Sequence, residues 1–470
     1  MNLKKISENV WEIPRTGEMN VAGRIFANAE LIDSIKQDKT LSQVENVAKL
    51  PGIIGASLVM PDAHQGYGFS IGGVAAFDVE TGVISPGGVG YDINCSVRLL
   101  RTNLKREDLR GNEKKIVKDL FNAIPSGVGK GGKLNISKKE LDEVLVNGAA
   151  WMVEHEYGEK RDLEYIEENG KMIGADPLDV SMRAKARGLP QLGSLGAGNH
   201  FLDVLEVSEI FDEDVAKVFG LEMGQIVILI HCGSRGLGHQ VASDYIKLMD
   251  KKYGHPEYDR ELVYAPIKSD LGQKYLSAMK CAANFAFANK QLLTHMVREE
   301  LRKYFPKIKC EVVYDICHNI AKFEKHEVNG KQKEVLVMRK GATRSFGPGR
   351  IEIPQAYRKV GAPILIPGSM GTPSFVLCGT KKAEEISFAS TAHGAGRAKS
   401  RTQAKLDFTF EEAQKRMIER GVFVEFGQKK GIVEEAPESY KDIEEVVNAS
   451  DSAGIGKKVA RLNPVMVVIG

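Results

Sequence analysis

The sequence predicts a mixed α/β (α+β) fold: one large catalytic domain over residues 1–470, with central mixed β-sheets flanked by helices. Three observations predict it. Apolar runs of strand length, such as IVILI (Ile226–Ile230) and VMVVI (Val465–Ile469), interleave with segments whose apolar residues recur at helical spacing. At 470 residues the chain can bury a large core. No internal repeat or low-complexity linker divides it.

The elements follow in order. Thr40 is placed to cap a first helix, Val44, Val47 and Ala48 form its apolar stripe, and Pro51 ends it. Strands near Ile53–Val59 and Val74–Val79 make the first hundred residues strand-rich after that one helix. In SPGGVGYDINCSVRLL (Ser85–Leu100), Ile93, Cys95, Val97 and Leu99 alternate with Asn94, Ser96 and Arg98, the period of a half-buried strand. That period turns Asp92 away from Cys95. They converge only if the turn bends the chain at Asp92, which Gly87, Gly88 and Gly90 permit.

Residues from about 105 to 190 are more polar and helical, a lobe within the domain, and Ser137 with Glu140 forms a capping box there. Strands return near Phe201–Val207 and Gln225–Ile230, then a long helix near Gln273–Tyr304. Strands near Glu311–Ile316 and Glu334–Arg339, a helix opened by Thr409 and Glu412, and the final VMVVI strand complete the chain.

With 65 basic and 62 acidic residues the net charge is +3, so any anion-binding surface must be local. Six cysteines (95, 232, 281, 310, 317, 378) include no CxxC pair. The N-terminus lacks an apolar signal core and no run is long enough to span a bilayer. The expectation is a cytoplasmic protein with reduced thiols.

Three histidines share one context, a strand meeting a small-residue turn: His231 in IVILIHCGSRG, His318 in EVVYDICHN, and His200 in LGAGNHF. Strand ends gathered at one edge commonly hold a site. Together with Asp92 and Cys95 they make a metal site a better reading than three unconnected histidines. Imidazoles with one thiolate and one carboxylate suit Zn or Mn better than Mg or Ca, and five donors with a bridging thiolate suit a pair of ions.

His393, in STAHGAGRAKSRTQAK, is different. Small residues leave its ring accessible, and Arg397, Arg401 and Lys405 follow at helical spacing. An accessible imidazole beside cations suits attack on a phosphate. IPGSMGTPSFVLCG (Ile366–Gly379) offers backbone N–H groups, and RKGATRSFGPGR (Arg339–Arg350) adds cations. GVGKGGKL (Gly127–Leu134) nearly matches a phosphate-binding loop, but Leu134 replaces the Mg²⁺-binding hydroxyl and no strand precedes it.

These motifs, with MPDAHQGYGFSIGGVAA, HCGSRGLGH and AHGAGRAKSR, resemble the RtcB family of RNA-splicing ligases, in the family's order and over nearly the whole chain. The resemblance implies an enzyme that joins RNA ends bearing a 2′,3′-cyclic phosphate or 3′-phosphate to 5′-hydroxyl ends, as in tRNA splicing and RNA repair. It implies two Mn²⁺ ions, GTP and a histidine–GMP intermediate. By that resemblance Cys95 bridges the metals, His200 and His231 complete one site, and Asp92 and His318 complete the other. His393 takes GMP. Asn199, Asn319, Arg235, Lys340 and Arg397 hold phosphates, and Ser369 and Tyr440 line the guanine pocket. Asp62 or His64 orients His393, and Arg187 and Arg401 meet RNA phosphates.

It also implies RNA as partner (split tRNA halves or broken RNA) and a monomer as the family default, and leaves open whether an archease-type activator is required. Two departures bear on guanine selectivity: Asp203 stands where the family usually has Glu, and VVIG lacks the family's penultimate lysine. The rival readings are a two-metal phosphatase or cyclic phosphodiesterase, needing neither His393 nor GTP, and a non-catalytic RNA-binding relative.

Overall fold

The computed structural model describes residues 3–127, 129–399, 402–403, 406, 409–427 and 433–470. Two large sheets carry the α+β fold. The seven-stranded sheet runs, edge to edge, Lys4–Ser7, Val10–Ile13, Ala22–Phe26, Ile53–His64, Ile71–Asp78, Lys331–Lys340 and Asn319–Val328. The second runs Cys310–Cys317, Ser96–Lys105, Gln225–Cys232, Phe201–Ile210, Lys457–Ile469, Ser374–Cys378 and Pro363–Ile366, with Phe423–Phe426 pairing in parallel to Lys457–Ile469. His318 alone separates Cys310–Cys317 in one sheet from Asn319–Val328 in the other.

The continuous apolar run at Gln225–Cys232 follows from its central position: all eight residues are buried. Val227 and Leu229 pack on one face with Phe219 and Tyr357. Ile226, Ile228 and Ile230 pack on the other with Ile116, Leu120 and Leu293.

The Ser96–Lys105 strand departs from the half-buried expectation, because the helix Asp270–Arg302 covers its polar face. Ser96 and Arg98 are fully buried. Arg98 Nη2 and Lys290 Nζ lie 2.8 and 3.0 Å from the Asp315 carboxylate oxygens, and Gln291 and Thr294 accept from Arg98 Nη1 at 2.8 and 2.9 Å. A buried charge at these positions requires such partners.

The capping boxes hold: Ser137 Oγ accepts from Glu140 N at 3.2 Å while Glu140 Oε2 accepts from Ser137 N at 2.7 Å, and Thr409 with Glu412 opens Phe410–Glu419. Thr40 does not cap. It is the first residue of the helix Thr40–Val47, after Lys39, and its N–H donates to Asp38. Three strands and a further helix, Ala29–Ile35 capped by Asn28, precede it. Helices Arg235–Tyr253 and Ile443–Ala453 add to the elements the sequence predicts. Between 106 and 190 no sheet strand occurs among the described residues, and helices Lys138–Asn147 and Ala149–Glu154 pack on Asp270–Arg302.

Candidate functional site

Antiparallel pairing gathers four strand ends at one edge. Cys317 and Cys232 flank Ser96 on its two neighbouring strands, and Phe201 faces His231. Cys95, His318, His231 and His200 therefore arrive together from four adjacent strands. Asp92 joins them through a β-turn rather than through the glycines alone: Cys95 N donates to Asp92 O at 3.0 Å, with Asn94 left-handed at φ 53°. Asparagine tolerates that conformation, and its side chain is anchored by donating to Ala283 O at 2.8 Å.

Cys95 Sγ lies 3.3 Å from His231 Nε2 and 3.5 Å from His200 Nε2. His200 Nε2 is 2.8 Å from Asp92 Oδ2, and His231 Nε2 is 3.4 Å from His318 Nε2. The donors form two groups, Cys95–His231–His318 and Asp92–Cys95–His200, each with its ligand atoms within 4.8 Å of one another. Cys95 belongs to both. The outer donors pair differently from the resemblance, which joins His200 to His231 and Asp92 to His318.

The electrostatics suit a cation. Burial, reinforced by the neighbouring imidazoles, holds His231 and His318 well below the ordinary histidine value, so both are neutral donors. Burial alone would raise Asp92, yet His200, His239 and Arg235 keep it below the usual carboxylate range. Burial, with Asp92 adding to it, pushes the Cys95 thiol well up, so a thiolate here requires a cation among the donors. Among the described residues the buried Nδ1 atoms of His200 and His231 have no hydrogen-bond partner, and both rings turn Nε2 to the cluster. This donor set fits a borderline divalent ion.

His393 follows the short strand Ser390–Ala392 and stands over the cluster, its ring centroid 4.7 Å from that of His318. Asp62, fully buried on the Ile53–His64 strand, accepts from His393 Nδ1 at 2.6 Å, His393 N at 3.0 Å and Gly394 N at 3.3 Å. Burial would raise the Asp62 carboxyl, but His393 and Lys441 outweigh it and hold it low. Of the two expected orienting residues, Asp62 touches His393, while the His64 ring contacts the Asp62 carbonyl at 3.1 Å.

Cluster and nucleophile candidate share one cavity of about 620 Å³, which Asn199, Asp203, Arg235, Asn319, Lys340, Ser369, Arg397 and Tyr440 also line. Asn319 Nδ2 donates to Asp92 O at 3.1 Å. Arg235, left-handed at φ 55°, opens its helix and donates through Nε to Ser194 Oγ at 3.4 Å. Lys340 Nζ donates to the Tyr67 and Phe69 carbonyls at 2.7 and 2.8 Å, and burial pulls its pKa down to about 7. Arg397 Nη1 meets the Tyr440 hydroxyl at 3.1 Å and Glu435 at 3.3 Å. Asp203 is buried with Oδ1 unpartnered among the described residues, and burial raises its carboxyl well above the usual range.

Arg187 does not line the cavity; it is exposed on Met182–Gly188, donating to Gln240 at 3.0 Å. Arg401 and Lys405 lie outside the described residues, and Arg397 pairs with Tyr440 in an isolated β-bridge rather than on a helix. The cations of RKGATRSFGPGR other than Lys340 are committed elsewhere: Arg339 to Glu324 at 2.6 Å, Arg344 to Glu167 at 2.8 Å, Arg350 to Glu352 at 2.6 Å. Lining residues not foreseen include Tyr67, Tyr91, His239, Glu434 and Glu435. Three of these lie within the quoted motifs, Tyr67 in MPDAHQGYG, Tyr91 in GGVGYDIN and His239 closing HCGSRGLGH, so their proximity to ligand residues was the available signal.

An α+β chain whose sheet edges gather these five donors beneath a carboxylate-held histidine is an enzyme with a candidate metal centre. The chain belongs to the tRNA-splicing ligase RtcB family, whose model matches residues 43–470. It is 52% identical to a tRNA-splicing ligase RtcB of Thermococcus kodakarensis, covering 100% of this chain and 99% of the relative. It is 51% identical to the protein of that name from Methanococcus maripaludis, covering 99% of each. An RNA-splicing ligase RtcB homolog 1 of Entamoeba dispar is 46% identical, over 96% of this chain and 88% of the relative.

Proposed function

We propose that this chain is an RNA ligase that joins 2′,3′-cyclic phosphate or 3′-phosphate ends to 5′-hydroxyl ends, through a GMP carried on His393. RNA is its substrate, GTP its nucleotide and Mn²⁺ its metal; an archease-type activator and a monomeric state complete the reading. The observation that carries it is the Asp62–His393 contact set against the shared-thiol donor cluster.

Donation of the Nδ1 proton to Asp62 leaves the Nε2 lone pair of His393 free. In the first step Nε2 attacks the α-phosphorus of GTP, the bond to the β-phosphate oxygen breaks, and pyrophosphate leaves. Asp62 steadies the positive charge that develops on the ring. Water then opens any cyclic phosphate, an RNA 3′-phosphate oxygen takes GMP from His393, and the 5′-hydroxyl oxygen displaces GMP to form the phosphodiester. Asp92, Cys95, His200, His231 and His318 hold the metal pair, which when bound neutralises phosphate charge and stabilises the leaving group. Asn199, Asn319, Arg235, Lys340 and Arg397 orient phosphates, and Ser369, Tyr440 and Asp203 face the base. Arg187 and Arg401 extend contact to RNA.

Intact mass after incubation with Mn²⁺ and GTP or ATP tests the reading. A GMP-sized adduct on wild type, absent from His393→Ala, is expected. No adduct with either nucleotide, in the presence of an archease-type activator as in its absence, would remove the ligase assignment in favour of metal-dependent phosphate hydrolysis; an adduct formed only with the activator would mark a ligase idle without it, and an AMP adduct would refute guanine selectivity.

A further inference from the structure

Three aromatic rings occupy one wall of the cavity, on the Asp92 side. Tyr67 and Tyr91 meet edge to face with centroids 5.7 Å apart, and Tyr91 lies nearly parallel to His239, 6.1 Å away and tilted by 25°. Tyr67 and Tyr91 are half-buried and His239 is exposed. They come from three different elements. Tyr67 sits in the turn after Ile53–His64, Tyr91 immediately precedes Asp92, and His239 lies in the first turns of Arg235–Tyr253.

The turn that carries Tyr67 is pinned through its backbone. The Tyr67 carbonyl accepts from Phe69 N at 2.8 Å and from Lys340 Nζ at 2.7 Å. Neither the Tyr67 nor the Tyr91 hydroxyl has a hydrogen-bond partner among the described residues. Aromatic rings that line a cavity suit stacking with an unpaired base. Arg235, which opens the His239 helix, lines the same cavity.

We propose that Tyr67, Tyr91 and His239 form a stacking platform for the unpaired RNA base nearest the junction, separate from the wall of Ser369, Arg397 and Tyr440. The inference rests on the ligase reading and deepens it. The platform selects single-stranded ends without reading their sequence, since every base offers a π face.

The test uses full-length protein loaded with Mn²⁺ and short RNAs carrying 2-aminopurine at the 3′-phosphate nucleotide or at the 5′-hydroxyl nucleotide. Wild type should quench one of the two probes, and the quenched probe identifies which end stacks. Tyr67→Ala with Tyr91→Ala should abolish that quenching and raise the RNA Kd by roughly ten-fold or more per ring removed. The Phe variants, which keep the rings, should retain both. Undiminished quenching and Kd in the Ala double variant, or loss in the Phe variants, would overturn the platform. The GMP adduct is measured on the same preparations: its absence from wild type overturns the ligase reading and this inference with it, whereas its presence with unchanged quenching overturns the platform alone.

Discussion

Replacing Asp62 by Asn isolates what the carboxylate charge does for His393. One oxygen, Oδ2, accepts all three hydrogen bonds, from His393 Nδ1, His393 N and Gly394 N. The amide oxygen of an asparagine can occupy that place, so the ring keeps its tautomer and the loop keeps its anchor. What is lost is charge. A buried hydrogen bond to a charged group contributes about 1.5–3 kcal/mol, which at about 1.4 kcal/mol per decade corresponds to roughly 10–150-fold in rate if it is realised as the ring becomes positive. Single-turnover formation of the GMP adduct, followed by intact mass at saturating GTP and Mn²⁺, measures this directly. The expected result is a loss in that range with bound metal and thermal midpoint close to wild type. Asp62→Ala should do worse on both counts, since it leaves three donors without an acceptor. An Asp62→Asn rate within about threefold of wild type would refute the argument that the carboxylate activates His393.

Cys95→Ala removes the one donor common to both groups, and is expected to lose bound Mn²⁺ and adduct formation together by equilibrium dialysis and mass; retention of both ions would refute a shared thiolate. Asp315→Ala strands Arg98 and Lys290 in the interior and should cost about 3–5 kcal/mol in denaturant unfolding, whereas a change below about 1 kcal/mol, as for an exposed pair, would show the ion cluster to be dispensable. Lys340, held near pKa 7 by burial against an ordinary 10.5, binds fewer protons folded than unfolded across that window. Its contribution to stability therefore rises with pH from about 7 to 10.5, by roughly 4–5 kcal/mol at most. Lys340→Gln should flatten the wild-type slope of unfolding free energy over that range, and an unchanged slope would place the lysine's titration elsewhere.

The site was more legible than the scaffold. His200, His231 and His318 each stand where an apolar strand meets small residues, and that local pattern is what register then brings to one edge. The turn from Asp92 to Cys95 was legible as a turn but not in its chemistry, because the left-handed residue is Asn94 rather than a glycine. Arg98 was assigned to an outer face because alternation reports polarity and not what covers it; the partners that bury it, Lys290 and Asp315, are distant in sequence. The helix Arg235–Tyr253 is not legible in the sequence because Gly236 and Gly238 weaken its opening turns. Those glycines answer to close contacts: a Cβ at Gly236 would fall 2.8 Å from Gln191 Oε1 of a distant segment, and one at Gly238 would fall 1.9 Å from Ser234 Oγ at the start of the same helix. The pairing of donors lay beyond sequence altogether, being a matter of distances between strand ends.

His318 is the only residue between a strand of one sheet and a strand of the other, and it is also a donor of the cluster. A hinge needs a few residues free to absorb changes in φ and ψ, and this crossing has none to spare. Any opening that swung the sheets apart would drag an imidazole out of its group, so the scaffold cannot breathe at this seam without disassembling its own centre. The substrates of the proposed reaction would then reach the centre past the loops that line the cavity, above a floor pinned at His318.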